Sequence, residues 1–138
     1  MAGAMQLHVT WAGGRRFDAS RPGGPTLRLD ASGETGQSPL DAVLSGLASC
    51  AATDVVEILA KRRTPVSSLT VDVTGKRVEG VVPRRLEHIA LHFTLAGQAI
   101  ERAQVERAIE LAVTKYCSVR NSLREDIPVE WTLDMLSA

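Results

Sequence analysis

The stretch "SPLDAVLSGLASCAATDVVEILAKRR", residues 38–63, decides the fold. Ser38 is a good N-cap, Pro39 suits a first helical position, and Asp41 sits where a capping-box acid belongs, so a helix is predicted to start at Ser38. It is expected to run to about Arg63, with Pro65 stopping it. Small residues crowd its centre, from Ser45 and Gly46 through Ala48, Ser49, Cys50, Ala51, Ala52 and Thr53. A glycine inside a helix costs about 1 kcal/mol against alanine, and such a run is useful where another backbone must come close. Apolar positions surround much of the circumference, which predicts burial on more than one side.

Strands are expected on both sides of this helix. In "MQLHVTW" (5–11), Met5, Leu7, Val9 and Trp11 alternate with Gln6, His8 and Thr10, which predicts one buried face. "AGGRR" reads as a turn, Phe17 begins a second short strand, "RPGGP" breaks the chain, and "TLRLD" alternates again with Leu27 and Leu29 inward. "ASGETGQ" is a loop. After the helix, Leu69, Val71 and Val73 form one alternating set and Ile89, Leu91, Phe93 and Leu95 another, joined by the hairpin loop "EGVVPRR". A second helix is expected over about Glu101 to Tyr116, with Val105, Ala108, Ile109 and Ala112 on one face. "CSVRNSLRE" predicts a short further helix with Cys117 at or near its start. The last strand is "VEWTLDM", with Val129, Trp131, Leu133 and Met135 inward. One-sided strands predict antiparallel sheets. The element order gives α+β, and one sheet cannot cover a helix that is apolar on several sides, so a partner subunit is the economical cover.

A chain of 138 residues with 44% hydrophobic residues fits one domain, residues 1–138. Sixteen basic and sixteen acidic residues cancel, so no general basic field holds nucleic acid and no polybasic tract addresses an anionic membrane. Aromatic content of 4% is low for a base-stacking platform. No apolar stretch reaches about 18 residues, which predicts no membrane span, and the N-terminal residues show no charged leader followed by an apolar run. Two cysteines far apart in the chain make no disulfide scaffold. A reducing cytoplasmic location is the expectation, where thiols stay free unless redox chemistry is their task.

"SPLDAVLSGLASCAATDVVEILAKRR" and "KYCSV" (115–119) together resemble the OsmC/Ohr family of thiol-dependent peroxidases, in its YhfA-like branch. The similarity runs from "LHVTW" to the final strand. It implies an OsmC-like intertwined homodimer, with antiparallel sheets wrapped around a long central helix and active sites shared between subunits. Cys50 matches the reactive cysteine and Cys117 the resolving cysteine, although many relatives have proline where this chain has Ser118. The family's arginine lies in an early loop, which Arg15 or Arg16 matches. Its carboxylate lies near the start of the long helix. The well-characterised hydroperoxidases carry glutamate ten residues before the reactive cysteine, where this chain has Leu40; Asp41 is one residue later, about 100° around the helix. The implied substrate is an organic or inorganic hydroperoxide and the reductant an external dithiol, within an oxidative stress response and without metal or organic cofactor. The alternative in the same fold is a redox-sensing or small-ligand-binding protein without efficient turnover.

Each candidate has a plainer structural explanation. Free cysteine is among the most buried residue types, so Cys50 fits an inert core position, and a charged Asp54 one turn away would raise its thiol pKa. Cys117 fits a helix-capping position. Asp41 completes a capping box with Ser38, which is preferred to a catalytic role. Arg15 and Arg16 fit solvated surface charges. His88 and His92 have a zinc-like spacing on a helix, but on a strand they lie about 13 Å apart and are expected to be exposed surface residues. The carry-over therefore leaves Cys50, Cys117, Arg15, Arg16 and Asp41 as the candidate catalytic set.

Overall fold

Ser38 and Asp41 form the capping box that opens the long helix α1, Pro39–Lys61. The Ser38 N–H donates to the Asp41 carboxylate at 3.1 Å and the Asp41 N–H donates to the Ser38 hydroxyl at 3.1 Å, so two unpaired helix-end donors are satisfied reciprocally. The computed structural model describes residues 3–137; Met1, Ala2 and Ala138 lie outside the described residues. At its far end α1 stops where Arg63 takes a left-handed conformation and Thr64 bonds back to the Leu59 carbonyl through its N–H and its hydroxyl.

The chain divides into two compact units, Met1–Val43 and Leu44–Ala138. The first holds a three-stranded antiparallel sheet of β1 (His8–Trp11), β2 (Arg16–Ser20) and β3 (Leu27–Asp30), in the order β1-β2-β3. Gly13 and Gly14 turn β1 into β2 with positive φ angles that a side chain would strain. Asp30 ends β3 fully buried. Its carboxylate accepts from the N–H and hydroxyl of Ser32 (2.9 and 2.5 Å) and of Thr35 (3.0 and 2.7 Å). The hydroxyl of Ser32, then the hydroxyl and N–H of Thr35, hold the Asp30 carboxyl far below the usual carboxylate range. These bonds wrap residues 30–35 around one charge, and Gly36 closes the loop against Arg28. A Cβ at Gly36 would run into the Arg28 carbonyl oxygen and lie 2.8 Å from its Cγ. Gly36→Ala is therefore expected to cost about 1–3 kcal/mol, read as a lower denaturation midpoint at unchanged slope; an unchanged midpoint would show that the loop yields without cost.

The predicted burial of the β1 face does not hold in the single chain. Met5 is 77% exposed, Leu7 64%, Val9 55% and Trp11 65%, and Leu27, expected inward on β3, is 51% exposed. Alternation marks a face as apolar without saying which chain covers it.

The second unit holds the remainder of α1 and a sheet of β4 (Ser68–Arg77), β5 (Leu86–Ala96) and β6 (Val129–Met135) in that order. β4 and β5 form the expected antiparallel hairpin, but β6 runs parallel to β5. This corrects the expectation of purely antiparallel sheets. One-sided alternation reports one covered face, not strand direction, and the helical segment between β5 and β6 makes the crossover a parallel pair needs. Every second residue of β5 from Ile89 to Leu95 is fully buried, as are Leu47, Val55 and Leu59 of α1 and Val105 and Ile109 of α2 (Arg102–Leu111). Gly75 on β4 lets α1 approach, because a Cβ there would lie 2.8 Å from the Leu44 side chain.

Only one stripe of α1 is buried within the chain: Leu47, Ala48, Ala51, Val55 and Leu59. Val43 and Val56 are exposed. α1 is also long and apolar enough to cross a bilayer by length and composition. That corrects the expectation of no such stretch, which counted unbroken apolar runs and missed the apolar average of an Ala-, Ser- and Gly-rich centre. The buried stripe is the pattern of a core helix.

Candidate active site

Cys50 lies mid-way along α1 and is partly exposed, whereas Cys117 is buried; both thiols are free. A π-helical turn, Ala112–Tyr116, succeeds α2 directly, and its last bond runs from the Cys117 N–H to the Ala112 carbonyl at 2.8 Å. Single π-helical turns recur at functional sites, since the extra residue re-aims the side chains beyond it. Cys117 is the first residue beyond this one. It becomes the N-cap of the short helix α3 (Ser118–Ser122), with Sγ accepting from the Arg120 N–H at 3.3 Å. Both the short helix and the capping position of Cys117 agree with the sequence pattern.

The start of α3 faces Cys50. The Cys50 and Cys117 thiols are near enough for each to shift the other's ionisation, and Cys50 Sγ lies 3.9 Å from the Ser118 hydroxyl. Burial alone would raise the Cys50 thiol. The Val119 N–H, the Cys117 thiol, and the Ser118 hydroxyl and N–H together outweigh it, so Cys50 is held below the ordinary thiol value. Burial first, and Cys50 itself, push Cys117 above that value, although the Arg120 and Val119 N–H groups pull the other way. One thiol is thus poised to ionise while its neighbour stays protonated.

Ser118 was not singled out as a site residue by the sequence, although the quoted "KYCSV" contains it. It supplies a hydroxyl and a backbone N–H toward Cys50, and a proline at this position would supply neither. Proline is well tolerated at a first helical position, so Ser118→Pro is expected to fold and to move Cys50 ionisation upward. Ser118→Ala, which keeps the N–H, should move it less. The rate of iodoacetamide alkylation against pH, followed by peptide mass spectrometry, reads both shifts; an unmoved Cys50 profile in Ser118→Pro would refute the assignment.

The remaining candidates fall in the first unit. Asp41 is engaged in the capping box. Arg16 lies on β2 with Nε 3.7 Å from the buried Asp30 carboxylate. Arg15 instead lines a cavity of about 510 Å³ whose other walls, among them Val9, Phe17, Leu29 and Pro39, are apolar. The two arginines that the sequence left equivalent are therefore distinct. His88 and His92 are half-exposed on β5, and each contacts a β6 carboxylate, Glu130 and Asp134 respectively, at 3.1 Å. His92 also bonds the Thr132 hydroxyl at 2.5 Å. Among the described residues no three His, Cys, Asp or Glu side chains converge to hold a metal ion.

A profile of the family described as "OsmC-like protein" matches residues 31–132. The chain belongs to the OsmC-like protein family. Protein YhfA of Escherichia coli (strain K12) is 36% identical over 135 residues, spanning 97% of this chain and all of the relative. An OsmC-like protein from Mycoplasma pneumoniae superposes with a TM-score of 0.83 at 20% identity, covering 99% of each chain. A Legionella pneumophila structure titled an organic hydroperoxide resistance protein OsmC superposes with a TM-score of 0.71 at 15% identity, covering 97% of this chain and 98% of that one. These OsmC-like neighbours share the α+β fold, and the recognition made from "SPLDAVLSGLASCAATDVVEILAKRR" and "KYCSV" stands.

Proposed function

We propose that this OsmC-like protein is a thiol-dependent peroxidase that reduces hydroperoxides through Cys50 and Cys117. The observation that carries this reading is that Cys50 meets the start of the short helix that Cys117 caps, 3.9 Å from the Ser118 hydroxyl, with both thiols free and shifted in opposite directions, Cys50 down and Cys117 up. The Cys50 thiolate attacks one peroxide oxygen and becomes a sulfenic acid while the alcohol leaves. Cys117 condenses with the sulfenic acid, releasing water and forming a disulfide. An external dithiol reduces that disulfide by exchange and is itself oxidised. No metal or organic cofactor enters the cycle, and the cycle belongs in a reducing cytoplasm. The resemblance leaves Arg15 and Arg16 as the candidates for the site's arginine, Arg16 already being 3.7 Å from the Asp30 carboxylate. Consumption of cumene hydroperoxide with a dithiol reductant tests the reading. Steady turnover supports it; loss of hydroperoxide no faster than in the blank rejects it.

A second reading is favoured by Leu40, which stands where a glutamate is expected and cannot hold an arginine over the thiolate. The groups that lower Cys50 are N–H, O–H and S–H donors. On this reading the site senses oxidants or holds a small ligand and turns over slowly. Leu40→Glu should raise turnover only if Arg15 or Arg16 reaches the thiol.

We further propose one OsmC-like domain per chain, assembled as a homodimer with shared active sites. The exposed apolar residues of the β1 face, Val43 and Val56 need a cover. So does an open groove of about 660 Å³ between α1 and β4, walled by Ala52, Val56, Leu69, Val71 and Val73. A second copy brings the same faces. An obligate interface of this kind buries more than about 2,000 Å². Sedimentation should show a dimer across accessible concentrations, and a folded monomer at every concentration would exclude it.

A further inference from the structure

Asp54 lies one helical turn beyond Cys50 on α1. Side chains four apart on a helix are neighbours, so Asp54 stands beside the turn that carries Cys50. One carboxyl oxygen, Oδ2, is buried without a hydrogen-bond partner. A buried polar atom without a partner calls for an explanation. Asp54 also lines a cavity of about 510 Å³ that reaches Leu111 and Tyr116, the residue before Cys117. The same cavity is walled by Glu57, Ile58, Lys61 and Arg62, and the Lys115 ammonium sits 5.3 Å from the centre of the Tyr116 ring. Burial first, then Glu57, raises the Asp54 carboxyl above the ordinary aspartate value. A carboxylic acid kept protonated can donate a proton where a carboxylate cannot.

We propose that Asp54 is the general acid of the peroxide reaction, giving its proton to the alkoxide that leaves when Cys50 attacks. The proposal rests on the peroxidase reading of the cysteine pair. The Cys50 sulfur bonds to the terminal peroxide oxygen as the O–O bond breaks. Two electrons pass from sulfur to the peroxide, and the departing oxygen takes the Asp54 proton. The products are Cys50 sulfenic acid, an alcohol and the Asp54 carboxylate. That carboxylate accepts the Cys117 proton as the Cys117 sulfur attacks Cys50, then passes it to the leaving hydroxide, which departs as water. After the external dithiol has reduced the disulfide to two thiols, Asp54 takes the Cys50 proton and the cycle is reset. In this cycle Asp54 is neutral while Cys50 is ionised, and a neutral acid does not oppose a thiolate.

The reactive form carries one proton between Cys50 and Asp54, so the oxidation rate should be bell-shaped in pH. It falls at low pH as Cys50 is protonated and at high pH as the pair loses its last proton. The charged and titratable groups around the pair are Glu57, Lys61 and Arg62 on α1, Tyr116 beside the cavity with Lys115 over it, and Cys117.

The test is single-turnover reaction of Cys50 in the full chain, wild type and Asp54→Asn, with cumene hydroperoxide, peracetic acid and iodoacetamide. Asp54→Asn should slow the cumene hydroperoxide reaction about 10²-fold. It should spare peracetic acid, whose carboxylate leaving group needs no proton, and leave alkylation unchanged. Its cumene hydroperoxide profile should rise with pH to a plateau, against a bell for wild type. Equal rates of the two proteins with cumene hydroperoxide overturn the proposal. So does an equal loss with all three reagents, which marks a structural role. A wild-type profile that rises to a plateau overturns it without any variant. A wild-type Cys50 that is alkylated but oxidised by neither peroxide overturns the peroxidase reading itself, and Asp54 with it.

Discussion

Cys50→Ser is expected to consume no hydroperoxide above the rate of the buffer. Serine fits the site: it is of similar size, it can keep contact with the Ser118 hydroxyl, and Cys50 is partly exposed, so little packing is lost. The thiolate, however, is gone. The donors at the start of α3 lower the thiol and so favour its thiolate, but no comparable shift makes a serine alkoxide. The loss should be complete in kcat while the folded content is unchanged. Residual turnover in Cys50→Ser that disappears in a Cys50→Ser, Cys117→Ser double variant would move the reactive role to Cys117.

Cys117→Ser should behave differently. Serine is a better N-cap than cysteine, so α3 keeps or improves its capping, and a hydroxyl still stands beside Cys50 as a donor. The first oxidation should proceed. With no second thiol to condense, the variant stops after one equivalent of hydroperoxide and Cys50 carries one added oxygen, then two as it over-oxidises. Intact-mass spectrometry after one equivalent and after excess distinguishes these states. Continued multiple turnover with a dithiol would show that the reductant attacks the sulfenic acid directly and that Cys117 is dispensable.

Much of the scaffold was legible in the sequence because it is set locally. The Ser38–Asp41 box and the burial of Val105, Ala108, Ile109 and Ala112 arise from spacing within a few residues. The direction of β6 does not, because parallel and antiparallel strands alternate alike. The apolar alternation of Met5 to Trp11 marks a face correctly but not its burial within the chain, since alternation does not say what covers a face. The site was less legible still. Residues alone left Cys50 as a plausible core cysteine; only the similarity of "SPLDAVLSGLASC" and "KYCSV" to a known family paired it with Cys117. The π-helical turn that aims Cys117 has no composition signal in "AVTKY", and the part of Ser118 depends on an N–H that every residue but proline carries. Asp54 reads in the sequence as a charge opposed to the thiolate, because its burial cannot be seen there.

The parallel pairing of β5 with β6 also fixes when this sheet can be completed during synthesis. The β4–β5 hairpin is local and can form as soon as Ala96 has left the ribosome, but the second edge of β5, its most buried strand, stays unpaired until the crossover and the residues through Met135 have emerged. During that interval the nascent chain presents an apolar strand edge, the feature most prone to pair with a neighbouring copy. Chaperone access over this window should therefore raise the yield of folded protein.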